Sequence, residues 1–194
     1  MDQPALSPRM RRLLDAGVTV VAHEGLRGLT HRAVDREAGL PEGSCSAYLR
    51  TRLALLTALT QYVASRFAAD VRALGERLDG PSGPEVAAHE TAAMFLSWLE
   101  HPELLQARLE LQLEGQRQPE IAEVSTTWGR ELVTIVEGIL RGAGHAQAAD
   151  RADTLLAAMD GVLVRALREA PERRTAFLER SLDLLISSLV DATD

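Results

Sequence analysis

The feature that most constrains this chain is the spacing of its apolar residues. They recur at three- and four-residue intervals, as on one face of a helix, and past residue 80 every interruption is a proline or glycine signal. No stretch alternates with a period of two for long enough to form a strand, and no internal repeat or low-complexity tract is visible. A chain written this way has nothing to build a sheet from, so the expected fold class is all-α with about nine helices.

Met10, Leu13, Leu14, Val18 and Val21 form the first stripe and place a helix from Pro8 to His23, stopped at Gly25. Thr30 is a suitable N-cap for a short second helix through Glu37. Pro41 suits the first turn of a third helix reaching Leu49, because its missing N–H costs nothing there. From Arg52 a long stripe runs to Asp79, where the sequence Gly80-Pro81-Ser82-Gly83-Pro84 ends it. Five further helices are expected at Glu85 to Leu99, Glu103 to Gln116, Glu120 to Arg141, Ala146 to Glu169, and Glu172 to Val190. The organisation expected is a three-helix head over residues 1–51 and a helical body over residues 52–194.

Composition narrows the function. One cysteine, Cys45, makes no internal disulfide and no zinc cluster, and the longest run free of charge, Leu53 to Ser65, spans 13 residues, too short to cross a bilayer. A cytoplasmic protein with no membrane partner is expected. The net charge of −7 conceals an asymmetry: Met1 to Arg66 carries 9 Arg against 6 acids, and Phe67 to Asp194 carries 12 Arg against 22. A mildly basic head on an acidic body fits contact with a polyanion at one end. His23, His31, His89, His101 and His145 include no i, i+4 pair, and zinc-protease, phosphate-loop, nucleophile-elbow and paired-cysteine motifs are all absent. No metal, no cofactor and no enzymatic activity are expected.

Two short helices across a glycine turn have the size of a helix-turn-helix, with Val34, Ala38 and Leu40 placed to fix their angle. The run Gly28-Leu29-Thr30, then Val34, then Ala38-Gly39-Leu40-Pro41-Glu42-Gly43-Ser44, then Tyr48-Leu49-Arg50-Thr51-Arg52-Leu53-Ala54-Leu55-Leu56, resembles the DNA-binding head of the TetR/AcrR family of bacterial transcriptional regulators. The resemblance covers Arg9 to Leu59. Related heads often carry Tyr at the position of Ser46, Phe at that of Leu49 and Ala at that of Asp35, departures that bear on base preference. The resemblance implies a regulator, most simply a repressor, that binds a near-palindromic operator as a dimer and is released by a small apolar or amphipathic molecule. The competing readings are a ligand-blind helix-turn-helix protein acting through a partner protein, and a small all-α enzyme.

Within the head, the candidate DNA-contacting residues are Thr30, His31, Glu42, Gly43, Ser44, Ala47, Tyr48, Arg50 and Arg52. Thr30 can hold a phosphate on the free N–H groups of its helix start or serve as a plain N-cap. His31 can reach a base edge or a phosphate, or be a solvated surface histidine. Gly43 admits close approach of the backbone or packs on the preceding helix, and Ser44 offers a small hydroxyl. Tyr48 is either a phosphate donor or a core tyrosine, and Arg50 and Arg52 suit phosphates more than bases. Glu42 opposes the phosphate path but can accept from a cytosine amino group. Arg9, Arg11 and Arg12 form either a basic arm or a solvated face, and Cys45 reads as a small buried hydrophobe.

The body is expected to supply a ligand site and a dimer interface. Met94, Phe95, Trp98, His101, Leu105, Leu109, Gln112, Trp128 and Met159 are the candidate lining, although aromatic and Met residues at helical spacing also make ordinary core. One short recognition helix reads few bases, so a two-fold dimer would set two of them roughly 34–36 Å apart. Homodimer pairing is expected through the last two helices, by Leu155, Leu156, Met159, Leu163 and Leu167 with Leu178, Leu182, Leu185, Ile186 and Leu189. The same stripes can equally serve the chain's own core.

Overall fold

A computed structural model describes residues 6–78, 83–145 and 147–191, with side chains to residue 188. Among them are nine helices and no strand: α1 (Pro8–Gly28), α2 (His31–Glu37), α3 (Ser44–Tyr48), α4 (Arg52–Arg77), α5 (Pro84–Glu100), α6 (Glu103–Gly115), α7 (Pro119–Gly142), α8 (Ala148–Ala166) and α9 (Pro171–Asp191). No helix among the described residues is long and apolar enough to cross a membrane. The expected break at Gly80-Pro81-Ser82, the helix start at Ala146 and the side chain of Leu189 lie outside the described residues.

Two boundaries in the head differ from the sequence expectation for a backbone reason, and in the second unit α8 ends at Ala166, three residues before the expected Glu169. α1 continues past Gly25 to Gly28, but Gly25 itself is non-helical at φ 67°, so the glycine bends the helix and the chain resumes its helical course for one further turn. The third helix starts at Ser44 rather than Pro41. Gly43 stands at φ 93°, a left-handed conformation that no α-helix contains, so Pro41 and Glu42 belong to the turn before it.

The chain forms two compact units. The first comprises residues 1–66 and 102–128, and the second residues 67–101 and 129–194. The packing unit that holds the helix-turn-helix therefore extends beyond residue 51, because α6 packs against α1. Its core is Leu13, Leu14, Val18, Val21, Leu29, Val34, Leu55, Leu56 and Leu59, joined by Leu105, Leu111 and Ile121. Gly17 lets α1 and α4 close up, since a Cβ there would sit 3.2 Å from Leu59 Cδ1. Ser7 caps α1 by accepting from the Met10 N–H.

In the second unit α9 packs on α5 and on α8. Leu178 and Leu182 of α9 are fully buried, with Leu155 and Leu163 of α8 and Ala88, Ala92, Phe95 and Leu99 of α5. These members of the α8 and α9 stripes serve the chain's own core. Leu156, Met159, Leu167 and Leu185 are half-buried, and Val164 and Leu184 are exposed, at 39% and 63%. The two helices thus carry both a buried seam and an apolar remainder.

Candidate nucleic-acid interface

α2 and α3 are joined by a turn whose geometry follows from two glycines. Gly39, at φ 60°, closes α2: its N–H donates to the Arg36 carbonyl at 3.1 Å and the next N–H, of Leu40, to the Asp35 carbonyl at 2.9 Å. The left-handed Gly43 then redirects the chain into α3. Val34 and Ala38 are buried beneath the turn and Leu40 is half-buried.

α3 has five residues, too few for a helix to persist on its own side-chain propensities. Side chains of α2 hold it at both ends. The carboxylate of Asp35, 3% exposed, accepts the Gly43 N–H at 2.8 Å through Oδ2 and the Cys45 N–H at 2.7 Å through Oδ1. At the other end His31 Nε2 lies 2.6 Å from the Leu49 carbonyl oxygen; a carbonyl only accepts, so Nε2 carries the proton and donates. Cys45 is fully buried, and burial, followed by the negative charge of Asp35, pushes its thiol from 9.0 up to about 11.

The candidate residues divide into an outward and an inward set. Thr30 is exposed and caps α2, its Oγ1 accepting from the Ala33 N–H at 3.1 Å. Ser46, Ala47 and Tyr48 form the exposed face of α3, and Arg50 is exposed just beyond it. Gly43 is exposed at the helix start. Glu42 is exposed and ion-paired to Arg32, which offsets its charge near the expected phosphate path.

Ser44 and Arg52 are committed to the protein. The Ser44 hydroxyl donates to the Pro41 carbonyl at 2.7 Å and accepts from Arg9 Nη2 at 2.9 Å. Arg52 donates through Nη1 to the Leu29 carbonyl and through Nη2 to the Leu26 carbonyl at 2.6 Å, tying the start of α4 to the end of α1. Arg9 thus braces the start of α3 from α1. Beneath the head, Tyr62 donates to Asp15 at 2.5 Å and accepts from Arg66 at 3.0 Å; burial and then the bond to Asp15 raise its phenol above the ordinary value.

Sequence reasoning missed Asp35 as an organising residue. The signal was present: an aspartate in the middle of a short helix, where an apolar or alanine residue suits the packing, is locally unfavourable and needs a reason.

The candidate ligand-lining residues fall in both units. Met94, Phe95, Trp98, His101 and Met159 belong to the second, and Leu105, Leu109, Gln112 and Trp128 to the first. Phe95 stacks on Trp98 with ring centroids 5.2 Å apart, and Phe67 meets Trp98 edge-on at 4.7 Å. The indole N–H donates to Asp70 Oδ2 at 2.8 Å, a carboxylate that the sequence reading passed over. Met94 is buried, Met159 half-buried and His101 exposed, whereas in the first unit Leu105 is fully buried, Leu109 and Trp128 half-buried, and Gln112 exposed.

Comparison with known proteins sets this geometry in context. A family model described as "Tetracyclin repressor-like, C-terminal domain" matches residues 82–192, more than half of the chain. None of the curated proteins matches it in sequence. Among solved structures the chain is similar to a transcriptional regulator from Rhodococcus sp. Rha1, at 21% identity and a TM-score of 0.78, covering 95% of this chain and 96% of that one. It is similar also to a TetR-family member from Streptomyces coelicolor A3, at 27% identity and a TM-score of 0.68 over 90% and 98% of the two chains. The multidrug binding protein EbrR complexed with ethidium resembles it at 27% identity and a TM-score of 0.63 over 91% and 99%.

Proposed function

We propose, from the premise that the chain belongs to the TetR family of transcriptional regulators, that it is a ligand-responsive repressor that binds a near-palindromic operator as a homodimer. The observation that carries the reading is the two-sidedness of α3: Ser44, Cys45 and Leu49 face inward while Ser46, Ala47, Tyr48 and then Arg50 are presented to solvent beside the capped start of α2. An α-helix offered in this way fits the major groove, with its exposed side chains at base edges.

In that arrangement Thr30 and the first N–H groups of α2 meet a phosphate, and His31, with Nε2 already used, presents Nδ1. Tyr48 and Arg50 clamp the backbone, Ala47 gives apolar contact, and Gly43 leaves room for close approach at the start of the helix. Glu42 reads a cytosine amino group while Arg32 neutralises it. Ser44 and Arg52 act mainly by holding the head in shape, with the spare N–H groups of Arg52 available to a phosphate.

The second unit supplies dimerisation and an effector site. Val164 and Leu184, with half-buried Leu156, Met159 and Leu185, are the apolar remainder that a second copy would cover. Phe67, Phe95 and Trp98 with Asp70 combine aromatic walls with one acceptor, as a small amphipathic effector requires. The likeness to EbrR, complexed with ethidium and with malachite green, supports an effector of that size. Effector binding releases DNA by favouring a state with lower operator affinity, as linkage demands.

The test is selection of genomic fragments on purified protein at two salt concentrations, beside Tyr48→Phe and Arg50→Ala. A shared near-palindrome, bound less tightly at higher salt and by both variants, is the expected result. Recovery of no common sequence by the ligand-free protein overturns the reading.

A further inference from the structure

The regulator reading leaves open what fixes the orientation of so short a recognition helix. Burying a carboxylate is costly unless donors surround it, and the 3% exposed Asp35 spends both oxygens on N–H groups of α3. Those groups belong to Gly43 and Cys45, at the start of the helix, where N–H donors lack intrahelical partners. Four residues back along α2, on the same side, His31 grips the other end through the Leu49 carbonyl. α2 therefore defines two points on the axis of α3, and two points fix a line.

We propose that Asp35, with His31, is the positioning residue of the recognition helix, setting operator specificity rather than general affinity for DNA. This rests on the DNA-binding reading above. Of the phosphate contacts, those of Thr30 and Arg50 come from exposed groups outside this bracket and only that of Tyr48 rides on α3, so most non-specific attachment survives its loss. Base-edge readout does not, because hydrogen bonds to bases tolerate little error in the angle of the helix. Asp35 touches no DNA in this account and acts only through α3.

Cys45 gives the inference a readout independent of DNA. It is the chain's one cysteine, it is fully buried, and its own N–H is one of the two that Asp35 accepts. Modification of its thiol by an aromatic disulfide reagent thus reports how often α3 leaves its seat.

The experiment compares Asp35→Asn with the full-length parent. The operator recovered from selection and a random fragment of equal length serve as probes, and thiol modification is followed without DNA. Loss of one of the two accepted bonds is expected to weaken operator binding by about tenfold or more and to speed Cys45 modification by a similar factor. Affinity for the random fragment and its salt dependence stay within about twofold. Asp35→Glu, which keeps the charge but moves the oxygens, is expected to behave as Asp35→Asn does, and it takes the place of Asp35→Asn if that variant does not fold. An operator affinity equal to the parent's, a fall in step with non-specific affinity, or a Cys45 rate unchanged overturns the inference. A parent that selects no sequence overturns the DNA-binding reading and the specificity claim together. Failure of the inference alone is distinct from this, because the parent then still selects an operator.

Discussion

The head of the first unit and the core of the second unit are built from the same kind of helix but held by different forces. α2 and α3 have seven and five residues, and their geometry is set by directional bonds from side chain to backbone, Asp35 to Gly43 and Cys45 and His31 to Leu49, while Arg52 ties the start of α4 to Leu26 and Leu29 in the same way. α8 and α9 have 19 and 21 residues and are held by Leu155, Leu163, Leu178 and Leu182, side chains with no directional preference. Hydrogen bonds fix angles, whereas apolar packing fixes volume and leaves room to re-pack. Under the proposed function, a surface that presents a few atoms to a duplex suits the first, and an interior that accepts a ligand suits the second.

Four experiments can break this contrast, in descending order of effect. Leu182→Ala empties a fully buried position of α9 and is expected to destabilise by about 2–5 kcal/mol in denaturant unfolding. A loss below 1 kcal/mol or so would mean that the second unit is not held by packing at this seam.

Raising pH tests the head through Cys45. With the folded thiol raised from 9.0 to about 11, the unfolded state loses its proton first, so this contribution is present below pH 9 and is lost between pH 9 and 11. Stability is expected to fall by about 1–3 kcal/mol over that window in thermal or denaturant melts, with a shallower fall in Cys45→Ala. Tyr62, raised also, adds a slope of the same sign to both proteins. Equal slopes would show that the thiol is not sequestered.

Gly43→Ala forces a Cβ into a left-handed conformation with no steric neighbour within 4 Å, so its cost is conformational alone, about 1–2 kcal/mol by chemical denaturation. Gly25, also open and at positive φ but with ψ at −179°, a region essentially reserved for glycine, gives a companion substitution in α1 that is expected to cost at least as much. Smallest of the four is Arg32→Ala, which removes an ion pair whose partners are 84% and 66% exposed. Melting is expected to change by less than about 0.5 kcal/mol, while DNA affinity falls because Glu42 is left uncompensated. A large change in melting would place that pair among the bonds that shape the head.

Much of this architecture is legible in the spacing of the residues. The stripe at Leu13, Leu14, Val18 and Val21, the Thr30 cap and the stripe at Leu178, Leu182 and Ile186 all occupy the positions that their periodicity implies. Pro41 misled because proline tolerates both a first helical turn and the turn before it, and the choice was made by Gly43 two residues later. The placement of Asp35 inside a short helix was a legible signal, but the partners of Asp35 and Asp70 were not legible, since Gly43, Cys45 and Trp98 lie 8, 10 and 28 residues away.

The sequence by itself determined that the chain is helical, where its helices run, and that it carries a helix-turn-helix, because periodicity, capping and breaking act over one or two turns. Tertiary structure alone decided which polar side chains became fasteners and which stayed at the surface. Ser44 and Ser46 differ little as sequence, yet one is buried between Pro41 and Arg9 and the other faces solvent. The physical reason is that a buried polar group must find a partner wherever the fold places one, and the fold, rather than the neighbouring residues, sets that distance.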